Sequence, residues 1–256
     1  MGWVLRRGVK TGWKAGLKLG GQTVTTCALS CIIPAYNEAP RISAVLAAVL
    51  DHPLIGEVVV VDDGSSDGTA EVAETAGQGH AKLRVLRQPE NGGKTRAVAR
   101  GIAEARGVHV LLLDSDLIGL GEGHLSALAA PVLEGRADAA MSLRRNAPLL
   151  WRAIGIDYIS GERVMPRAVL AAQMEALHAL PRFGLEVFMN RLWIEAGLRV
   201  AVVRWPEVES PWKHDKRGGW IAGLRADAAM MGDIFRTVRP DEALRQVLEL
   251  RGLRVS

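Results

Sequence analysis

Val58-Val59-Val60-Val61-Asp62-Asp63-Gly64-Ser65-Ser66-Asp67-Gly68 is the stretch that decides the fold. Four β-branched residues in a row have no polar alternation, which suits a strand buried on both faces, as in a parallel sheet. The Asp, Gly and Ser residues that follow at once supply turn chemistry and a helix start, with Asp67 expected as the N-cap. Working outward, the same cycle repeats. Leu29–Ile33 reads as a strand and Arg41–Leu50 as a helix with apolar positions Ile42, Val45, Leu46 and Val49. Glu57–Val61 is then the second strand, residues 67–76 a helix, Leu83–Arg87 a strand, Lys94–Ala105 a helix and Val108–Leu113 a fourth strand. Strands alternating with helices predict an α/β fold with a Rossmann-like, doubly wound, mostly parallel sheet.

The second half is less regular. Helices are expected near 123–133, 166–178 and 186–196, a strand over Arg199–Val203, a helix near 221–231 inside a loop-rich stretch from 205 to 233, and a last helix over Asp241–Leu250. Residues 1–28 form a basic amphipathic arm, and 29–256 are read as one domain. Before Glu38 there is no acidic residue, whereas Arg6, Arg7, Lys10, Lys14 and Lys18 cluster on one arc of a helix. Gly8, Gly12, Gly16 and Gly20 would each cost that helix roughly 1 kcal/mol against Ala, so a surface or partner would have to support it. With Trp3 and Trp13, a peripheral membrane contact through residues 1–20 is one reading, and a core-packed or disordered arm is the other.

Bulk composition narrows the classes. Of 256 residues, 48% are hydrophobic and 23% charged, which supports a sizeable core. A net charge of +4 gives no footprint for nucleic acid. Cys27 and Cys31 provide neither a disulfide framework nor a four-thiolate zinc site, and Cys31 is expected to be a buried small hydrophobe. No apolar stretch is long enough for a membrane span, and no secretory signal is expected. Cytoplasmic residence, with the inner face of the membrane as an option, fits these features.

The chemistry collects at strand ends, where open α/β sheets bind ligands. Strand one runs into Pro34-Ala35-Tyr36-Asn37-Glu38, strand two into Asp62-Asp63, and strand four into Asp114-Ser115-Asp116. Glu38, Asp62, Asp63, Asp114 and Asp116 would converge on one edge. Like charges that close repel by ~4 kcal/mol at an effective dielectric of ~20 unless a cation separates them. A divalent metal, Mg²⁺ or Mn²⁺, is the economical reading, with Asp114 and Asp116 on the same side of an extended chain. Asp-x-Asp alone is equally a turn or cap pattern; the other two strand ends carry the argument. Asn91-Gly92-Gly93-Lys94 opens a helix and aims a lysine at the same edge, but its spacing is not that of a P-loop.

Taken together, Ile32–Glu38, Val60–Thr69, Asn91–Lys94 and Leu113–Asp116 resemble glycosyltransferase family 2, of GT-A fold. The resemblance covers roughly residues 29–118. It implies a nucleotide-sugar donor, with UDP favoured by family habit. By motif position, Pro34, Ala35, Tyr36, Glu38, Asp63 and Lys94 would line the base and ribose, while Asp114, Ser115 and Asp116 would face ribose, diphosphate and metal. Further on, Ser160-Gly161-Glu162-Arg163, Phe183-Gly184-Leu185-Glu186 and Trp212-Lys213-His214 are similar in order and spacing to retaining enzymes that make glucosyl-3-phosphoglycerate. That likeness implies His214 as a third metal ligand, Glu186 beside the transferred sugar or as a base, and Gly161, Glu162 and Arg163 on the acceptor side, beyond the nucleotide subregion.

The expected activity is metal-dependent transfer of a hexose to a phosphorylated small-molecule or lipid-linked acceptor. Polyprenyl-phosphate transfer at a membrane surface is the alternative. The sugar, acceptor, stereochemical outcome and a homodimeric state stay open. A nucleotidyltransferase would need a glycine- and base-rich loop after strand one, where Ala35–Pro40 stands instead. Against a non-catalytic nucleotide-sugar binder, the intact Asp114-Ser115-Asp116 argues that metal binding is not lost, and donor hydrolysis separates the two.

Overall fold

The structure, a computed structural model, describes residues 29–180, 184–210 and 238–255. The valine run forms β2 (Glu57–Asp62), in which every residue is buried. It lies between β1 (Leu29–Ala35) and β3 (Leu83–Arg87), both parallel to it, with Cys31 level with Val58 and Ile33 level with Val60. On the other side of β1, β4 (His109–Leu112) is also parallel. The sheet thus grows in both directions from β1, which is the topological switch point where such folds open a ligand crevice. Helices α1 (Ile42–Val49), α2 (Thr69–Ala76) and α3 (Lys94–Glu104) are the crossovers between these strands.

The sheet has eight strands in the order β3-β2-β1-β4-β6-β5-β7-β8. Beyond β4, one strand is reversed. β6 (Arg163–Pro166) runs antiparallel between β4 and β5 (Ala139–Arg144), while β5 is parallel to β7 (Val200–Trp205) and β7 to the short β8 (Arg254–Val255). The remaining helices are α4 (Glu122–Leu133), α5 (Leu149–Ile154), α6 (Arg167–Ala171), α7 (Met174–His178), α8 (Leu185–Glu195) and α9 (Pro240–Gly252). Side-chain alternation divides the core between the two faces. Cys31, Ile33, Val58 and Val60 pack with α1 and α4, whereas Ile32, Val110 and Leu112 pack with α3, α8 and α9.

The expected α/β fold is borne out, and so is buried Cys31, whose thiol is pushed upward by burial. Several expectations change. The helix expected over 166–178 is two short helices that break at Ala172-Gln173, and both pack against α3. Strands β5, β6 and β8 and helix α5 were not legible beforehand. The arm, the expected helix near 221–231, Phe183 and the Trp212-Lys213-His214 triplet lie outside the described residues. Among those described, no helix is long and apolar enough to cross a membrane.

At the amino-terminal edge of the sheet, Glu57 ties strands and helices together. It accepts from Ser30 Oγ at 2.6 Å, the Arg106 amide at 2.9 Å and Arg84 at 3.0 Å, and Arg84 reaches on to Glu104 at 2.7 Å. Burial opposes ionisation of Glu57, but these donors hold its carboxyl below the usual range. The opposite, carboxyl edge is left free for chemistry.

Helix α3 approaches β1 over a glycine. A Cβ on Gly101 would stand 2.4 Å from Ile32 Cγ2. Alanine gains roughly 1 kcal/mol of helix propensity, but overpacking a dense core costs ~1–3 kcal/mol. Gly101→Ala is therefore expected to lower the urea midpoint at unchanged slope. A midpoint equal to or above wild type contradicts this packing.

Candidate active site

Hydrogen bonds between loops build the crevice. Asn37, with a left-handed φ of 55°, accepts from the Ser66 amide at 2.9 Å, and its own amide donates to Ser65 Oγ at 2.9 Å. The Glu38 amide donates to Thr69 Oγ1 and the Ala39 amide to Asp67 Oδ2. Asp67 is not the N-cap: Gly68 holds that position at φ 84°, and Asp67 binds the Thr69 amide from one residue earlier. The loop after β2 also seats the next one. Asp63 accepts from the amides of Gly92 at 2.9 Å and Gly93 at 2.7 Å. Gly64, at φ 70°, lies so close that a Cβ would fall 2.6 Å from the Glu90 carbonyl carbon. These contacts fix the turn from which α3 begins, and Lys94 is its first residue.

Lys94 is the central cation. Its Nζ is 2.7 Å from Asp114 Oδ1 and 2.9 Å from Glu186 Oε1, in the first turn of α8. Burial opposes its charge, but the two carboxylates dominate and push its pKa far up. Asp114 is half-buried; burial opposes its charge, but Lys94 and Arg144 hold it below the usual range. Lys94 thus joins the strand-four motif to a helix 92 residues away in sequence.

The five acids expected to converge do not form one cluster. Asp63 is committed to backbone amides, Glu38 to Arg41 at 2.7 Å, Asp114 to Lys94, and Asp62 is buried at the end of its strand. Among the described residues, no three His, Cys, Asp or Glu side chains are gathered for a metal ion. Asp116 differs, because among the described residues no cation pairs with it directly. Burial, then the charges of Asp114 and Glu38, push it up to about 6 despite Arg144 and Lys94. Such a carboxylate is short of positive charge. Among the described residues the wider balance agrees: Lys94, Arg144 and Arg163 face Asp114, Asp116, Asp157, Glu162 and Glu186, an excess of two negative charges. A divalent cation fits that deficit.

A second layer was missed at the level of sequence. Arg144, at the end of β5, stands 3.4 Å from Glu162, 3.7 Å from Asp157 and 4.0 Å from Asp114. Glu162 and Asp157 are fully buried. Ser142 donates to Glu162 at 2.6 Å. Arg163 donates to the Ser160 carbonyl at 2.8 Å and Asn190 Oδ1 at 2.7 Å, and its guanidinium lies 4.8 Å over the Trp193 ring. Glu162 and Arg163, expected on the acceptor side, are both fully buried. They sit in the core beneath the site, because only internal partners could offset their burial. Gly161 faces Asp114. Of the expected nucleotide contacts, Tyr36 stands at the rim at 47% exposure, Pro34 is half-buried, and Ala35 and Ser115 are buried.

Residues 30–168 match the profile described as glycosyl transferase family 2. A glucosyl-3-phosphoglycerate synthase from Mycobacterium tuberculosis, solved with Mn²⁺, uridine diphosphate and phosphoglyceric acid, is similar at TM-score 0.61 and 25% identity, covering 83% of this chain and 79% of that one. The dolichyl-phosphate beta-glucosyltransferase of Drosophila melanogaster is 42% identical over 99 residues, 34% of this chain and 30% of that protein. The dolichol-phosphate mannosyltransferase of Mycosarcoma maydis is 30% identical over 167 residues, 60% of this chain and 55% of that protein. The matches thus span from under a third to about half of these curated relatives.

Asp157 offers a test of the buried layer. Burial, against Arg144 and with Glu162, raises it from 3.8 to about 6. An acid whose folded pKa lies above its unfolded value favours the fold while protonated. That contribution is full below pH ~3.8 and is lost as pH rises through ~6. Asp157→Asn cannot lose it. Between pH 4.5 and 7.5, the variant is expected to gain stability relative to wild type, on the order of 1–3 kcal/mol. Urea unfolding at both pH values measures this, and a pH-independent difference contradicts it.

Proposed function

The chain belongs to glycosyl transferase family 2, and from that premise we propose that it moves a hexose from a UDP-sugar to a phosphorylated small-molecule or lipid-linked acceptor. The observation that carries this reading is the under-compensated Asp116 beside the Lys94-bridged pair of Asp114 and Glu186. Asp116 would hold a divalent metal, Mg²⁺ or Mn²⁺, with Asp114 nearby and His214 as a ligand assigned from sequence order alone. When bound, such an ion supplies Lewis-acid stabilisation to the leaving diphosphate.

The protein's own groups do the rest. Lys94 contributes positive potential where charge develops on the diphosphate, and its fixed partners keep it from reorganising during the reaction. Tyr36 offers an exposed ring at the mouth of the base pocket, and Asp63 and Glu38 hold the loops that frame base and ribose. Glu186 Oε1 is taken by Lys94. Oε2 is left to accept from a hydroxyl of the transferred sugar, a role that suits retention better than proton abstraction from an acceptor.

Two acceptor classes fit. The similar solved structure holds phosphoglyceric acid, and the curated relatives are named for dolichyl phosphate. The second class, with the basic arm, supports polyprenyl-phosphate transfer at a membrane surface on the cytoplasmic side. Incubation with radiolabelled UDP-glucose separates them: label enters the organic phase with a polyprenyl phosphate, or stays aqueous with a phosphorylated small acceptor. Steady metal-dependent release of UDP distinguishes either from a mere binder.

Asp116→Ala is expected to abolish Mn²⁺-dependent UDP binding while leaving the thermal transition in place, and His214→Ala to weaken it less. Calorimetry reads both. Unchanged Mn²⁺-dependent binding in Asp116→Ala contradicts the site.

A further inference from the structure

Gly161 is not a glycine for backbone reasons. Its φ lies outside the left-handed range, so any residue could adopt its conformation. What it lacks is room. An added Cβ would stand 2.6 Å from both carboxylate oxygens of Asp114 and 2.8 Å from its Cγ, where ordinary contact begins near 3.4 Å. The topology explains the closeness. β6 runs antiparallel to β4 with Arg163 level with Leu112, and antiparallel to β5 with Arg163 level with Met141. Continued two steps, the same register brings Gly161 opposite Asp114 and between it and the end of β5, where Arg144 stands.

The Asp114 carboxylate is therefore bounded on three sides. Lys94 binds it at 2.7 Å, Arg144 lies 4.0 Å away, and the bare Cα of Gly161 forms the wall. Arg144 is itself held from below. Glu162 Oε1 and both oxygens of Asp157 make no direct hydrogen bond, and neither does Arg144 Nε. Contacts of 3.4 and 3.7 Å join them through charge and packing alone. Arg144 Nη1 also donates to Ser210 Oγ, so removing either anion would loosen Arg144 and shift its charge toward the remaining carboxylates, of which Asp114 is one. Nothing in this arrangement requires Gly161 or Glu162 to touch a substrate.

We propose that Gly161 and Glu162 are positioning residues for the donor site: Gly161 by leaving the space that Asp114 occupies, Glu162 by holding Arg144 back from it. The inference rests on the donor-site reading and gives the strand before β6 a task in it, where sequence order alone suggests acceptor contact. It also accounts for a charged residue buried at a cost that no surface role explains.

The experiment uses the full-length chain with Gly161→Ala and, as an isosteric partner that keeps the fold, Glu162→Gln. UDP is titrated calorimetrically in Mn²⁺, and Mn²⁺ is titrated at saturating UDP by electron paramagnetic resonance. Disturbing a group that orients a metal-site carboxylate costs about 10- to 100-fold in metal affinity. Gly161→Ala is expected to weaken UDP–Mn²⁺ binding by that factor, with its melting temperature within a few degrees of wild type. Glu162→Gln is expected to raise the Mn²⁺ concentration at half-saturation in the same direction, by less. A merely structural role would move the melting temperature and leave the metal requirement alone. Wild-type Mn²⁺ and UDP affinities in both variants overturn the proposal. A crystal structure of Gly161→Ala decides it independently of ligand: the proposal requires Asp114 turned away from Lys94, and an unmoved carboxylate refutes it. If wild type shows no Mn²⁺-dependent UDP binding, the donor-site reading fails, and that crystal structure still judges the positioning claim.

Discussion

Negative charge buried at one sheet edge must be met by positive charge, and here the meeting is incomplete by design of the fold. Lys94 stands between Asp114 and Glu186, and Arg144 between Glu162, Asp157 and Asp114. Each cation is held by carboxylates from different elements, so the ion pairs double as ties between β4, β5, α3, α8 and the segment before β6. Removing Arg144 would leave Glu162 and Asp157, both fully buried, uncompensated, which costs ~3–5 kcal/mol. That cost makes the arrangement rigid. Rigidity is useful where developing charge must be met without reorganisation.

The deficit left at Asp116 follows from position. It is the second aspartate past the end of β4, beyond the reach of the lysine that serves the first. Asp63 and Glu38, which sequence spacing brings to the same edge, are already occupied by the Gly92 and Gly93 amides and by Arg41. The edge therefore divides its acids into those tied to amides and cations and one, Asp116, without a direct cation partner among the described residues. The parallel half supplies the loops. The antiparallel insertion of β6 supplies the floor, because it alone brings a chain up from beneath against β4.

The first half of the fold was legible because apolar runs such as Val58–Val61 and Val110–Leu113 have one structural use, and Gly, Asn and Asp mark the turns between them. β5 was not, because Ala139-Ala140 carries little β preference and its burial comes from neighbours on both sides. Glu162 and Arg163 misled for a related reason. A charged pair in sequence suggests a surface, and only the fold brings Asn190 and Trp193 to Arg163 and Ser142 and Arg144 to Glu162. Arg144 carried no local signal. Its role depends on partners 13, 18 and 30 residues away, while Lys94 was legible because a glycine pair and a helix start announce it.

Among the described residues the acids of this edge outnumber the cations by two, and Asp116 is the acid left without a direct cation partner. Anomalous diffraction from crystals grown with Mn²⁺ and UDP tests this deficit most directly. The account predicts one manganese peak within bonding distance of the Asp116 carboxylate, bridging to the diphosphate, with Lys94 still set between Asp114 and Glu186. A manganese peak elsewhere, or UDP bound with no metal at Asp116, would contradict it.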